Sequence, residues 1–130
     1  MAHFADTNIA VYALLPGARA DEALAALGGA TISVQVLNEF ANVALRKFGL
    51  DQLRLNEKIS EIRFEVDRIM PVTEETHDLA RKIVFRYKLS FDYSALIASA
   101  LLADCDTFYS EDLQHGLLIE SQLRVVNPFA

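Results

Sequence analysis

Four acids in this chain occupy places where side chains distant in sequence can converge. Asp6 closes the short apolar segment His3-Phe4-Ala5, and Asp112 follows another, Thr107 to Ser110. Glu39 falls in the first turn of an expected helix, and Asp92 stands where a nearly continuous apolar helix begins. In an open parallel sheet the carboxyl ends of the strands form the crevice where ligands bind. Four carboxylates around such a crevice raise one another's pKa values unless a cation compensates them. A site offering only oxygen suits Mg²⁺ or Mn²⁺, and a divalent cation held there activates water for in-line attack on a phosphodiester. Each acid also has a plainer use. Asp6 and Asp92 could cap helices, and Asp112 could sit in a turn. Glu39 is less easily dismissed, because its helical neighbours Val36 and Val43 are apolar.

Other chemistries find little support. The five glycines never fall into a phosphate-binding order. His3, His77 and His115 lack zinc spacing, and Cys105 is the only cysteine, which excludes an intrachain disulfide and favours a packed thiol over a nucleophile. Bases form two groups: Arg46-Lys47 end the helix that carries Glu39, and Arg81, Lys82, Arg86 and Lys88 share a helix face. Arg46, Lys47, Lys82 and Arg86 are therefore candidates for a rim that contacts RNA phosphates.

The elements that must position these residues read as short strands alternating with helices. Strands are expected over His3–Asp6, Ala30–Val36, Met70–Thr73, Thr107–Ser110 and Leu123–Asn127. Helices are expected over Ile9–Leu15, Ala20–Leu27, Leu37–Phe48, Leu50–Ile69, Glu74–Lys88 and Ser94–Ala103. The third is marked by the stripe Leu37, Phe40, Ala41, Ala44 and Phe48, and the fourth by Leu55, Ile59, Ile62, Val66 and Ile69. The last is apolar all round and must be buried. This alternation argues for an α/β fold with a mainly parallel sheet of four to five strands.

At 130 residues the chain is expected to form a single domain, burying roughly two-thirds of the surface its unfolded state exposes. No apolar run approaches the ~20 residues of a membrane span, and no signal peptide is apparent, so a soluble cytoplasmic protein is expected. The net charge of −6 disfavours non-specific coating of nucleic acid. That charge is uneven: residues 1–45 carry −3, residues 46–90 carry +2 and residues 91–130 carry −5. The acids of the two ends include the candidate metal site, and the bases of the middle include the candidate rim.

Four segments taken in order resemble the PIN domain, and within it the bacterial VapC-like toxin nucleases. They are Asp6-Thr7-Asn8, Gln35 to Phe40, Leu89-Ser90-Phe91 followed by an acid and an apolar helix, and Tyr109 to Gly116. The likeness runs from about His3 to Phe129. It implies a three-layer α/β/α sandwich and Mg²⁺- or Mn²⁺-dependent endoribonuclease activity. It also implies a homodimer and inhibition by a small antitoxin protein. Asp6, Glu39, Asp92 and Asp112 carry over as catalytic metal ligands, with Thr7, Asn8 and Ser110 as supporting polar groups. One departure stands out. The family places an aromatic residue before the third acid, whereas this chain reads Asp92-Tyr93, so a gapless match sets Tyr93 in the acid's place. Inside a helix a one-residue shift turns a side chain by about 100°. Asp92 is expected to reach the metal only if the backbone there is not yet helical.

Two other functions fit parts of the pattern. A PIN domain with weakened catalysis would act mainly as an antitoxin- or RNA-binding module, and the Asp92-Tyr93 order favours it. A phospho-accepting receiver domain fits the length and the acid after the first strand, but lacks a paired acid before Asp6 and a lysine near the final strand.

Overall fold

A computed structural model describes residues 2–130 as an α/β fold around a six-stranded sheet. In chain order the elements are β1 (His3–Ala5), α1 (Thr7–Leu14), α2 (Ala20–Leu27), β2 (Thr31–Ser33), α3 (Val34–Arg46) and α4 (Gln52–Glu65). There follow β3 (Arg68–Met70), α5 (Glu74–Tyr87), α6 (Phe91–Leu102), β4 (Thr107–Tyr109), β5 (Leu118–Ile119) and β6 (Leu123–Val126). The sheet order is β3-β2-β1-β4-β6-β5, parallel except for the β5–β6 hairpin.

This order explains the layers. From β1 the chain steps to β2 and then to β3, moving toward one edge, and then returns past β1 to β4. Because crossovers between parallel strands are right-handed, α1–α4 cover one face and α5–α6 the other. The direction reverses between β1 and β4, which makes the carboxyl ends of those two strands the natural binding crevice. Asp6 and Ser110 are the first residues beyond them.

The centre of the core is aromatic. Phe4 and Phe108 are fully buried, pair in register on β1 and β4, and stack with ring centroids 5.4 Å apart. Helix α6 is buried continuously from Ser94 to Leu101 between the sheet and α5. Its unbroken apolar sequence is what burial on both sides requires. No described helix is long and apolar enough to cross a membrane.

Three expectations about elements need correction. The β-branched run Ala30–Val36 forms a strand only over Thr31–Ser33, and Val34, Gln35 and Val36 are helical. Burial of Val36 against the sheet outweighs β propensity there. The expected helix over Leu50–Ile69 ends at Glu65, and β3 begins at Arg68 rather than at Met70. Val66 and Ile69 continue the helical spacing only by coincidence, since β3 must pair with β2 through Ile69 and Ile32. The antiparallel strand β5 was not expected. Its turn places Glu120 and Ser121 at φ of 53° and 55°, a two-residue left-handed turn normally written with Asn-Gly. Outside support holds it: the Tyr87 hydroxyl accepts from the Glu120 amide at 2.7 Å, and Arg86 binds both Glu120 carboxylate oxygens at 2.6 and 2.7 Å.

Candidate active site

Asp6 is the anchor of the site. Its backbone is extended, its amide donates to the Tyr109 carbonyl at 3.1 Å, and its side chain caps α1. Oδ1 accepts from the amides of Asn8 at 3.1 Å and Ile9 at 3.4 Å. The residue is 1% exposed, and its second oxygen, Oδ2, is buried without a hydrogen-bond partner. Burial pushes the carboxyl up to about 6, with the nearby charge of Asp112 acting in the same direction. The Ser110 hydroxyl and the two capping amides oppose the rise without cancelling it. A buried anion with a free oxygen and no cation of its own is costly.

The other groups close around it. Asn8, at the start of α1, donates from Nδ2 to Asp112 Oδ2 at 2.9 Å across the β1–β4 crevice. Ser110, fully buried at the end of β4, accepts the Asp112 amide on Oγ at 3.2 Å and so shapes the turn that presents Asp112. Glu39 lies on α3 with both oxygens engaged: Thr7 donates its hydroxyl to Oε1, and Gln35 donates to Oε2 at 2.8 Å. The same Gln35 amide reaches the Asp92 carbonyl at 3.2 Å and ties α3 to α6. Asp6, Thr7, Asn8, Glu39, Asn42, Asp92 and Tyr93 line one cavity of about 350 Å³.

The third acid behaves differently from the expectation. Helix α6 begins at Phe91 with Ser90 as its cap, so Asp92 lies within the first regular turn and its side chain is exposed on the cavity rim. The unformed backbone that would let Asp92 turn inward is absent. Tyr93 faces inward instead and donates its hydroxyl to Asp112 Oδ2. Burial, that hydrogen bond and the charges of Asp112, Asp6 and Glu39 all hold its phenol protonated far above the ordinary range.

Among the described residues no three Asp, Glu, His or Cys side chains converge in a geometry that holds a metal. The donor set still fits a hard divalent cation. Mg²⁺ is commonly bound through one or two carboxylates, with water and substrate phosphate completing its shell. The unpartnered oxygen of Asp6 is the observation that asks for such an ion.

The two basic groups separate. Arg46 and Lys47 are exposed and, with Asn42 and Val43, line a groove of about 320 Å³. Asn42 and Val43 also line the acidic cavity, so groove and cavity adjoin. Lys82 and Arg86 do not line that groove. Arg86 is committed to Glu120 in the β5–β6 turn, and Lys82 lies near enough to lower the same carboxyl. That turn precedes β6, at the amino ends of the parallel strands, across the sheet from Asp6.

The family model of the PIN domain matches residues 4–116, which span all four acids and the whole cavity. The chain belongs to the PIN domain family. As a PIN domain it shares its fold with solved toxin–antitoxin proteins. A toxin–antitoxin complex from Klebsiella pneumoniae aligns with a TM-score of 0.71 at 21% identity, covering 98% of each chain. VapC20 of Mycobacterium tuberculosis, described as a toxin that cleaves the sarcin-ricin loop, aligns at 0.65 and 21%, covering 82% of this PIN domain and 87% of VapC20. VapBC2 of Rickettsia felis, solved with a fragment of its promoter DNA, aligns at 0.67 and 17%, covering 98% and 100%. No curated protein is significantly similar in sequence.

Three contributors to the PIN domain site were missed as such in the sequence. Gln35 stands one helical turn before Glu39, a visible signal once Val34–Val36 is known to be helix. Arg19 and Tyr12 both bind Glu111, the neighbour of Asp112, and Arg19 lies 4.9 Å over the Phe129 ring. They join residues about a hundred positions apart, and nothing local announces them.

Proposed function

We propose that this PIN domain is a Mg²⁺- or Mn²⁺-dependent endoribonuclease, the toxin component of a type II toxin–antitoxin system. The observation that carries the reading is the buried Asp6 carboxyl, raised to about 6 and with no cation from the chain, in a residue that lines one cavity with Glu39 and lies close to Asp112. Asp6 and Asp112 would hold the cation. When bound, such an ion supplies Lewis acidity, making water nucleophilic near neutral pH and offsetting the charge that develops on the phosphate.

The chain's own groups do the rest. The α1 amides fix Asp6 through Oδ1 and leave Oδ2 outside the helix cap. Thr7 and Gln35 hold Glu39 in place, so that its charge would help to retain a cation in the cavity. Asn8 and Tyr93 orient Asp112. Arg46 and Lys47 offer positive charge along the groove that opens from the cavity, where RNA phosphates would lie. The partners on this reading are an RNA substrate, a cognate antitoxin protein and a second copy of the chain. Their support is the fold shared with toxin–antitoxin complexes.

The test is incubation with a structured RNA containing exposed loops. Cleavage should require Mg²⁺ or Mn²⁺, stop in chelator and vanish in Asp6→Asn. Cleavage that persists in chelator, or in that variant, overturns the mechanism. The weakened-catalysis alternative draws on Tyr93, an uncharged group in an acid's position. It predicts RNA or antitoxin binding with no metal-dependent cleavage.

A further inference from the structure

Asp112 stands in residues 110–117, which contain no helix or strand, so no run of regular backbone pairing fixes its place. Its neighbour Glu111 ties the segment to the rest of the molecule. Tyr12 donates its hydroxyl to Glu111 Oε1, and Arg19 donates from Nη1 to Oε2. The Arg19 guanidinium lies 4.9 Å from the centre of the Phe129 ring and 5.5 Å from that of Tyr12, and the two rings meet edge to face at 5.4 Å. Phe129 is placed in turn by Asn127, whose Oδ1 accepts from the Phe129 amide at 2.9 Å. The Asn127 amide donates to His115 Nδ1 at 3.0 Å, so the segment that presents Asp112 is held near both ends.

Arg19 is ill suited to its own place in the chain. It occupies the N-cap of α2 and makes no side-chain cap bond, where Ser, Thr, Asp or Asn is favoured. Its backbone is left-handed, at φ 72°, a conformation that costs energy for any residue with a Cβ. Such strain persists only where the surroundings over-determine it, and it clusters at functional segments. Stability does not explain the arrangement, because the Arg19 side chain is 47% exposed and an exposed ion pair contributes little. Its contact with the neighbour of Asp112 does. We infer that Arg19 is a positioning residue: packed against Tyr12 and Phe129, it holds Glu111 and so sets where Asp112 presents its carboxylate to a cation. Partners that orient a metal's ligands typically change its affinity by roughly 10–100-fold. The inference rests on the metal-dependent reading of the site but can fail on its own.

The experiment titrates Mn²⁺ into the metal-stripped full chain, following the free ion by electron paramagnetic resonance. Arg19→Met removes a positive charge, so electrostatics alone would tighten Mn²⁺ binding. Lost positioning should instead weaken it by about 10-fold. Arg19→Lys, which keeps a charged donor for Glu111, should recover part of that loss. Phe129→Leu changes no charge and should weaken binding in the same direction, adding little to Arg19→Met because both act through one link. In metal-free protein, the amides of residues 111–116 should exchange with solvent faster in Arg19→Met while those of β1 and β4 keep their rates. Unchanged exchange at 111–116, or Mn²⁺ binding as tight as in wild type, overturns the inference. So does a raised KM for RNA at unchanged Mn²⁺ affinity, which would make Arg19 an RNA contact. No Mn²⁺ on wild type overturns the metal reading, and the inference with it.

Discussion

Asp6 and Glu120 are carboxylates at opposite ends of the same sheet, and the protein treats them in opposite ways. Glu120, at the amino ends of the strands, has its own cation. Arg86 binds both its oxygens, Tyr87 donates to one, and its carboxyl is held below the ordinary range. Asp6, at the carboxyl ends, is buried with a free oxygen and no cation from the chain, and its carboxyl is raised to about 6. The first arrangement completes a structure by supporting a turn with two left-handed residues. The second leaves a carboxyl without a cation from the chain where the sheet topology opens a crevice, the kind of perturbed group that clusters at functional sites.

The largest effect that sharpens this contrast is on cleavage. Asp6→Asn should lower metal-dependent RNA hydrolysis by more than about 100-fold, beyond what loss of an outer-shell partner causes. Initial rates in Mn²⁺ read this directly, and near-normal rates would break the contrast.

Stability should move the other way. The folded state holds the Asp6 proton more tightly than the unfolded chain, whose value is near 3.8. In the metal-free protein the contribution of Asp6 to stability is therefore fully present below that value and is lost as pH climbs to about 6. The two values differ by about 2 units, which corresponds to a loss on the order of 3 kcal/mol. Asparagine keeps the helix cap and removes the charge, so urea denaturation of Asp6→Asn should show that slope flattened. An identical pH profile in both proteins would contradict the assigned cause.

Next in size is the contrast between the two basic groups. Reversing Arg46 and Lys47 should weaken RNA binding and lower the salt slope by about 1 for each phosphate no longer neutralised. Reversing Lys82 should leave the slope unchanged. Equal effects from the two would place Lys82 among the RNA contacts as well. The smallest effect belongs to Glu120→Gln: the amide keeps an acceptor for Arg86 and Tyr87, the Glu120 backbone bond to Tyr87 is untouched, and the charge pair lost is with an exposed Arg86. The melting temperature should change little, and by the same amount with and without Mn²⁺.

The sequence made the sheet and most of the site legible for different reasons. Asp6 and Asp112 could be placed because strand ends in a parallel sheet share one edge, and Glu39 because its neighbours are apolar. The reach of Asp92 depended on where α6 begins, which one residue of phase decides: the helix starts at Phe91, and Asp92 lines the cavity from an exposed position in its first turn. Gln35 was hidden by a β-branched run whose second half is helical. Lys82 and Arg86 show the limit most plainly, since periodicity identifies a basic helix face but not which end of the sheet it serves. The β5–β6 turn lacked any signal because Glu120 and Ser121 are held left-handed by Tyr87 and Arg86, more than thirty residues away.

The most direct measurement is thermal melting of metal-stripped wild type and Asp6→Asn near pH 7, each with and without Mn²⁺. Saturating ligand at about 100 times its Kd adds roughly 2.7 kcal/mol, a shift on the order of 10 °C for a small domain. Wild type should start lower and rise by that amount, while Asp6→Asn should start higher and stay there. A wild type that ignores Mn²⁺, or a variant that gains as much from it, would contradict the account.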